Sequence, residues 1–356
     1  MLIKETIRKH LINSRDAKIC SGNRKLKKSI LYNNELLYNV KSFGTINPKK
    51  IFYVIQRSPG GGMFSNLNYV LHHLFIAEKF NFVPIVDMTN YYTLYNEKKS
   101  VKGINNSWEY YFEPVSKYSL TDVYKSKNVI ITDGRTRNNI AFDGFENLRL
   151  EHKKIFNKYI KIKKYLISEK NEFLNKNFKN LNILGVHFRG TDYKNRERHP
   201  YPATKKQISI IIDNLNSKYK YDKIFLVTEE KDYLDYLKKR HKNLIHFSKI
   251  FTNKKNIFFE KFTNNIRYKI GKENIIDMLL LGSLNHIVGV NSNLIEASEY
   301  FSKKKITFFK IENGYNSNNI FIASFKWYLK RLLPKAFGGL NYKIKIITTD
   351  SKFSRK

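Results

Sequence analysis

The sequence predicts an α/β fold made of two Rossmann-like domains. Short apolar runs alternate with helical patterns in two separate stretches, 51–86 and 182–300, and such alternation is typical of parallel sheets covered by helices. A charged segment without glycine or proline, 151–179, lies between the two stretches. The chain has 356 residues, which is more than one hydrophobic core usually holds. We therefore expect two domains joined by a helical connector.

The first stretch predicts one βαβ unit. Residues 51–55 form an apolar run typical of a buried strand, and a turn of three glycines follows at 60–62. Apolar residues then recur at helical spacing from Ser65, which suits an N-cap, to about Lys79. A second strand is predicted at 82–86, so strand, helix and strand succeed one another as in a parallel sheet.

The second stretch predicts a larger unit of the same kind. Its strands are predicted at 182–188, 223–228, 244–247 and 286–290, and its helices at about 204–218, 230–241, 273–283 and from Leu294, with a polar loop at 251–271. Two such halves predict a GT-B-type arrangement, in which two Rossmann-like domains face a central cleft that holds the active site. The predicted boundaries are a preface at 1–48, a first domain with connector at 49–175, a second domain at 176–320 and a tail at 321–356.

Cysteine content and apolar runs indicate the cellular setting. Cys20 is the only cysteine, which excludes an internal disulfide and a zinc site of several thiolates and fits a reducing compartment. The first residues carry charges where a signal peptide needs an apolar core. No run approaches the roughly 20 apolar residues of a membrane span. We expect a soluble, cytoplasmic protein.

The formal net charge of +36 predicts an anionic partner or reflects composition alone. Nucleic acid, anionic lipid and phosphorylated ligands all respond to a positive field. The lysines are spread along the chain, without an RNP-like motif, zinc knuckle or helix-turn-helix pattern. Dedicated nucleic-acid binding is therefore the less favoured interpretation.

The segment from Phe321 to Phe337 has the pattern of a basic amphipathic helix. Its apolar face would hold Phe325, Leu329, Leu332, Leu333 and Phe337, and its basic face Lys326, Lys330, Arg331 and Lys335. Such a helix could lie on an anionic membrane surface. It could equally pack on the protein's own core with its lysines in solvent. Pro334 would interrupt a long helix in either case.

Ionisable residues crowd together directly after the apolar run 183–186. Ligands of parallel sheets bind at the carboxyl ends of strands, which is where these residues lie. Arg189 offers a planar fork for phosphate oxygens and would stabilise a leaving diphosphate. Asp192 could hold that guanidinium, and Glu197 could act as a general base if burial raises its pKa. The other interpretations are a core histidine at His187, a turn aspartate and a solvated cluster at 196–198.

Two further turns could contact a ligand. The amides of Gly61 and Gly62 could approach a phosphate or a sugar, although the sequence lacks both G-x-G-x-x-G and the P-loop ending, and a tight turn explains the glycines equally well. Asn291, Ser292 and Asn293 precede a predicted helix, where their donors suit a phosphate or simple capping.

The sequence contains no D-x-D triplet, the usual metal–diphosphate ligand of many sugar transferases. It also lacks H-E-x-x-H and a cysteine framework. A diphosphate leaving group would then be balanced by side-chain cations. We therefore expect neither a metal nor another cofactor.

The segment from His187 to Asp192, behind 184–186, resembles the signature of GDP-fucose-dependent fucosyltransferases, above all the α1,6 branch with its bacterial relatives. The likeness spans about 51–300. It includes Glu197 five residues after the motif aspartate, His199-Pro200, the acidic segment 227–230, Asp277, the segment 288–297 and the glycine turn with Asn68, His72 and Ala77. One departure is Gly190, where the α1,6 enzymes usually carry a second arginine; Arg196 or Arg198 could replace it.

The resemblance implies a metal-independent, inverting glycosyltransferase of GT-B type. By it Arg189 would hold the β-phosphate, His187 would line the donor site, and Glu197 would deprotonate the acceptor hydroxyl. The implied donor site is completed by Asp192, Asp277, Asn291, Ser292, Asn293, Gly61 and Gly62. The co-substrate would be GDP-fucose or another GDP-sugar, and the acceptor a bacterial surface-glycan precursor, including a lipid-linked one.

Three other readings stay open. The first is a transferase of the same build with another nucleotide-activated donor. The second is a non-catalytic protein that binds nucleic acid or another anion through its charge. The third is an inactive relative that binds GDP or a sugar without turnover.

Overall fold

The computed structural model describes residues 40–132, 150–247, 249–254, 257–259, 265–340 and 343–349. These residues form two compact units, the first made of 40–132 with 154–161 and the second of 150–153 with 162–349. Most of the predicted preface, 1–39, lies outside the described residues. The division differs from the predicted boundary at 175, because the helix Lys164–Asn177 belongs to the second unit.

The first unit contains a four-stranded sheet in the order β1-β4-β2-β3. Its elements are β1 (Val40–Lys41), β2 (Phe52–Ile55), α1 (Met63–Lys79), β3 (Val83–Val86), α2 (Leu120–Val123) and β4 (Val129–Ile131). β2 is parallel to β3 and to β4, whereas β1 is antiparallel to β4. All four residues of β2 are buried, as expected of a central parallel strand covered on both faces.

Helix α1 begins earlier than the sequence predicts. Its N-cap is Gly62 rather than Ser65. The amide of Met63 donates to the hydroxyl of Tyr95 at 2.8 Å. The tyrosine thus accepts from one of the free amides of the helix start, a role that a polar N-cap side chain often has. A tertiary contact therefore sets this helix start.

The second unit contains a six-stranded sheet in the order β10-β9-β8-β5-β6-β7. The strands are β5 (Ile183–His187), β6 (Lys223–Val227), β7 (Leu244–Ile245), β8 (His286–Gly289), β9 (Thr307–Ile311) and β10 (Ile344–Thr348). The helices are α3 (Leu150–Tyr159), which runs on into the first unit, α4 (Lys164–Asn177), α5 (Lys205–Tyr219), α6 (Lys231–Arg240), α7 (Ile266–Leu281), α8 (Asn293–Phe301) and α9 (Ile320–Lys330). Only β10 is antiparallel to its neighbour.

Three features of this unit differ from the sequence prediction. Helix α7 begins at Ile266 rather than near 273, and its early turns are fixed by α4, since Lys272 donates to Glu169 at 2.9 Å. Strand β9 was not predicted. The predicted tail supplies β10, which pairs with β9 as an edge strand.

Strand β5 lies at the point where the order of the second sheet reverses. The chain proceeds from β5 to β6 and β7 on one side, then returns to β8 and β9 on the other. A crevice opens at such a switch point, because the connections leave in opposite directions. The ends meet closely here: a side chain at Gly289 would lie 2.7 Å from the carbonyl oxygen of His187.

Candidate active site

The carboxyl ends of β5 and β8 bring together three of the predicted site residues. His187 ends β5 and is paired in register with Gly289 of β8. Ser292 caps α8, and its hydroxyl lies 3.4 Å from His187 Nδ1. Arg189 follows β5 by two residues. These residues occupy the edge of the sheet at the switch point, where the sequence predicts a ligand site.

Arg189 is held in place while part of its guanidinium stays available. Its Nε and NH2 groups donate to the two oxygens of Asp192 at 3.2 and 3.3 Å, and the guanidinium lies 5.1 Å from the ring centre of Tyr193. Two of its five N–H donors are used in this way, so three remain free within the described residues. The side chain is 35% exposed. Burial lowers the pKa of Arg189, but the Asp192 and Glu229 carboxylates outweigh burial and raise it, so the cation is permanent.

Asp192 joins two guanidinium groups. In addition to Arg189, it accepts a hydrogen bond from Arg196 NH1 at 3.1 Å, and the Arg196 side chain is 55% exposed. Burial would raise the pKa of Asp192, but the positive charge of Arg189 outweighs burial and lowers it. One carboxylate thus carries two fixed cations, which leaves positive charge available to an anion.

His187 is an uncharged imidazole in this site. It is 4% exposed. Burial, with the positive charges of Arg189 and Lys249, lowers the pKa of His187 to about 3. A neutral ring can line a pocket beside a diphosphate without adding charge.

Gly190 leaves no room for the second arginine that the resemblance implies. A side chain there would overlap Glu230 Oε1 and the ring of Phe188. Glu230 is buried and accepts a hydrogen bond from Lys194 at 2.7 Å. A larger side chain at Gly190 is therefore excluded by the packing around it.

The two residues after Glu197 are hydrogen-bonded to another segment of the second unit. The amide of Arg198 donates to Ser317 at 3.2 Å, and the carbonyl oxygen of His199 accepts from Asn316 at 2.8 Å. Arg198 adopts the left-handed conformation, with φ of 62°. Glu197 itself is half-buried, and within the described residues no hydrogen bond or ion pair occupies its carboxylate.

Asp277 forms a buried ion pair that the sequence analysis did not predict. Lys249, just beyond β7, donates to Asp277 Oδ2 at 2.5 Å, and the two side chains are 7% and 1% exposed. Asp277 Oδ1 is buried without a hydrogen-bond partner in the described part of the chain. Burial raises the pKa of Asp277, while Lys249 opposes that shift. An unpartnered buried acceptor suits the hydroxyl or N–H groups of a ligand.

The turn between β8 and α8 has the capping role that the sequence allowed. Ser292 Oγ accepts a hydrogen bond from the amide of Ile295 at 3.3 Å. Asn291 and Asn293 flank it and are half-buried. Ser292 caps α8 and also contacts His187, and both asparagines lie next to it at the same edge of the sheet.

The glycine turn lies in the first unit, after β2. Gly60 has φ of +68°, a conformation that favours glycine. The amide of Gly61 donates to Asn66 Oδ1 at 2.9 Å, and Gly62 is the N-cap of α1. The turn is therefore stabilised internally by α1.

The first unit also has a cavity of about 460 Å³ at the carboxyl end of β3. Polar and aromatic residues line it, among them Asn106, Glu109, Ser116 and Tyr118. Asn106 donates to Glu109 at 3.0 Å. Amide, carboxylate and hydroxyl groups of this kind can recognise hydroxyl-rich ligands.

The described residues contain neither a cluster of metal-binding side chains nor a membrane-spanning helix. Those residues hold no group of three or more His, Cys, Asp or Glu side chains arranged to bind a metal ion. Among the helices of the described part, none is long and apolar enough to cross a membrane.

Comparison with known proteins supports the fold. No family model matches the sequence, and no curated protein matches it significantly. The structure of fucosyltransferase NodZ from Bradyrhizobium matches with a TM-score of 0.51 at 13% identity, over 85% of this chain and 99% of that one. NodZ α-1,6-fucosyltransferase soaked with GDP-fucose matches with a TM-score of 0.48 at 15% identity, over 73% and 95% of the two chains. POFUT1 in complex with GDP matches with a TM-score of 0.40 at 10% identity, over 72% and 95%.

The first of these similarities is the one on which the fold assignment rests. It extends over nearly all of the NodZ chain, and both units of this chain have the parallel strands that the sequence predicts. The resemblance to fucosyltransferases is thereby confirmed at the level of the fold. The chain has an α/β fold of GT-B type.

Proposed function

We propose that this protein is an inverting, metal-independent glycosyltransferase. It transfers fucose, or a related sugar, from a GDP-sugar to a hydroxyl of a bacterial surface-glycan precursor in the cytoplasm. The observation that carries the proposal is Arg189, a permanent cation at the switch point of the second sheet, fixed by Asp192 yet with three N–H donors free among the described residues.

The donor site would lie along the carboxyl edge of the second sheet. Arg189 would bind the β-phosphate, with Arg196 as a second cation through their shared partner Asp192. His187 and Ser292 would line the nucleotide beside them, flanked by Asn291 and Asn293. Asp277 would offer its unpartnered oxygen to a donor group of the nucleoside. The assignment of Gly62 stays a prediction from the resemblance, whereas Gly61 already donates its amide to Asn66.

The reaction would be a single displacement. Glu197 accepts the proton of the acceptor hydroxyl while the hydroxyl oxygen forms a bond to the anomeric carbon of the sugar. The bond from that carbon to the β-phosphate oxygen breaks in the same step, and the electron pair leaves with GDP. Arg189 and Arg196 stabilise the charge that develops on the departing diphosphate. The attack comes from the face opposite the leaving group, which inverts the anomeric configuration. The GDP-sugar is a co-substrate, and no cofactor takes part.

The acceptor would be bound by the first unit. Its cavity of about 460 Å³ carries amide, carboxylate and aromatic groups of the kind that recognise sugars. Such a cavity has the volume of ordinary small-molecule sites.

A panel of nucleotide sugars tests the proposal. The purified protein is incubated with GDP-fucose, GDP-mannose, UDP-glucose and CMP-sialic acid in the presence of EDTA, and release of the nucleotide is measured. The proposal predicts release of GDP alone, with GDP-fucose as the preferred donor. Release of UDP or CMP would instead establish a transferase with another donor. Salt-sensitive binding of RNA without release of any nucleotide would favour the anion-binding alternative.

A further inference from the structure

The segment 320–337 carries most of the large apolar side chains exposed in the described residues. Fourteen such side chains are exposed, and nine of them lie in this segment: Ile320, Phe321, Ile322, Phe325, Tyr328, Leu329, Leu332, Leu333 and Phe337. Three of them, Phe321, Leu332 and Phe337, are 79%, 73% and 75% exposed. Contiguous apolar surface of this kind marks an interaction site in a protein that is otherwise polar outside.

Helix α9 packs on the second unit through its opposite side. Ala323 and Trp327 are 0% and 3% exposed. Trp327 Nε1 donates to the carbonyl oxygen of Pro202 at 3.0 Å, and Asn316 donates to the carbonyl oxygen of Ala323 at 3.0 Å. Because residues four apart share one face of a helix, the apolar side chains at 321, 325, 328 and 329 are turned away from the core. Packing on the protein's own core, one of the two readings of the sequence, thus holds for one face only.

The sequence segment that carries the apolar face has charged residues of one sign only. From 313 to 349 the sequence contains six lysine and arginine residues and no aspartate or glutamate. Lys326, Lys330, Arg331 and Lys335 belong to the same short segment as the exposed apolar residues. A second copy of the chain would bring two such sets of cations together, which disfavours self-association. An anionic surface that also accepts apolar side chains complements both properties.

We propose that the face formed by 320–337 docks on an anionic lipid bilayer. Helix α9 lies in the plane of the membrane, with Phe321, Phe325 and Leu329 among the acyl chains and the lysines at the headgroups. Each basic side chain near an anionic surface adds to the affinity. Arg331 lies over the ring of Trp327 at 5.4 Å, which anchors this cation to the buried side of the helix.

The docking face is attached to the loop that follows β5. Lys194 lies 5.5 Å from the ring centre of Trp327, and His199 accepts a hydrogen bond from Asn316. Docking would therefore hold the segment 191–202 next to the lipid surface, where lipid-linked acceptors are found. This last consequence rests on the proposed function, whereas the docking itself does not.

Vesicle sedimentation tests the docking with the full chain and without any nucleotide or sugar. Vesicles of phosphatidylcholine alone are compared with vesicles that also contain phosphatidylglycerol. We expect at least tenfold tighter binding to the anionic vesicles, weakened by salt. The triple variant Phe321→Ser, Leu332→Ser, Phe337→Ser is expected to bind at least tenfold more weakly, since it removes three exposed apolar side chains that would enter the bilayer. The pair Lys326→Gln, Lys335→Gln should lose about fivefold per lysine.

Matched variants control for fold and for general charge. Ile46→Ser with Ile346→Ser removes exposed apolar groups elsewhere (42% and 59% exposed), and Lys98→Gln with Lys99→Gln removes exposed charges of the first unit. All variants should melt at the wild-type temperature, because the substituted side chains are at the surface. The proposal would be overturned by equal binding to both kinds of vesicle or by unchanged binding of the triple variant. It would also be overturned if the wild type formed a dimer instead of binding lipid and the triple variant were a monomer.

Discussion

Two arginines occupy equivalent places in the two sheets, yet their surroundings differ. Arg57 follows β2 by two residues, as Arg189 follows β5, and each parent strand lies between two parallel neighbours. Each guanidinium also lies over a tyrosine ring, Arg57 at 4.7 Å and Arg189 at 5.1 Å. However, Arg57 is 6% exposed and the Arg189 side chain 35%.

The difference lies in the loops that follow. After β2 the chain turns through glycines and enters α1 almost at once, and Gln56 closes the edge by donating to the carbonyl oxygen of Thr132 at 2.6 Å. After β5 a longer polar segment supplies Asp192 and Arg196 before α5 begins. The same strand position thus yields a buried structural cation in one unit and an accessible one in the other. The proposed anion site therefore belongs to the second unit.

The largest effect is expected for Glu197→Gln, which removes the proposed base but no cation. Turnover should fall about 10²- to 10⁴-fold, the usual contribution of general base catalysis. GDP affinity, measured by calorimetry, should stay within about twofold because Glu197 touches neither Arg189 nor Asp192. Glu172→Gln, at an exposed position of α4, is the matched control. Full activity of the Glu197 variant would remove this residue from the mechanism.

Burial of His187 at the end of β5 is expected to make the free energy of unfolding depend on pH. The native pKa of His187, about 3, is below the ordinary value, so the unfolded chain binds the proton more tightly. Above pH 6.5 His187 is neutral in both states and does not destabilise the fold. As the pH falls from there toward 3, the unfolded state takes up a proton that the native state does not, and the free energy of unfolding decreases. Between pH 8 and pH 5 the loss should be about 2 kcal/mol larger in the wild type than in His187→Asn. Urea unfolding at both pH values measures this difference. Equal losses would mean that the pKa of His187 is the same in the native and the unfolded state.

A smaller effect is expected for Arg196→Ala, which tests whether the second cation belongs to the site. Loss of one exposed, charge-assisted phosphate contact should weaken GDP binding about tenfold. Arg240→Ala is the matched control, because Arg240 pairs with Asp213 at 2.9 Å and is 51% exposed, close to the 55% of Arg196. If both variants bound GDP like the wild type, Arg196 would be only a partner of Asp192.

The smallest effect is expected in the first unit. Gly61→Ala should leave GDP affinity within about twofold, since the amide of Gly61 is already bound to Asn66 and the added methyl group needs only a small shift of Ser65. Calorimetry with GDP measures it. A loss of tenfold or more would bring the glycine turn into the donor site and weaken the contrast between the two edges.

The sequence predicted those parts of the site that local patterns control. An apolar run that ends at His187 implies a strand end, and an arginine and an aspartate three residues apart can meet, as Arg189 and Asp192 do. The capping role of Ser292 was foreseen for the same local reason.

Tertiary contacts were beyond that reasoning. Lys249 and Asp277 are 28 residues apart and meet only because the segment after β7 contacts α7. A lysine shortly after a strand was the sole local signal. Strand β10 lies in a basic segment for which the sequence predicts a tail. Its pairing with β9 depends on a separate part of the chain and has no local signal. The start of α7 depends likewise on its contact with α4.

Arg189 is expected to form a diphosphate site, whereas Arg57 is not. The most direct measurement is calorimetric titration with GDP, UDP and CMP in the presence of EDTA, on the wild type, Arg189→Ala and the charge-conserving control Arg57→Lys. We expect GDP-selective binding without metal, weakened about 100-fold or more by Arg189→Ala and retained by Arg57→Lys. GDP binding that survives Arg189→Ala, or no GDP binding by the wild type, would contradict it.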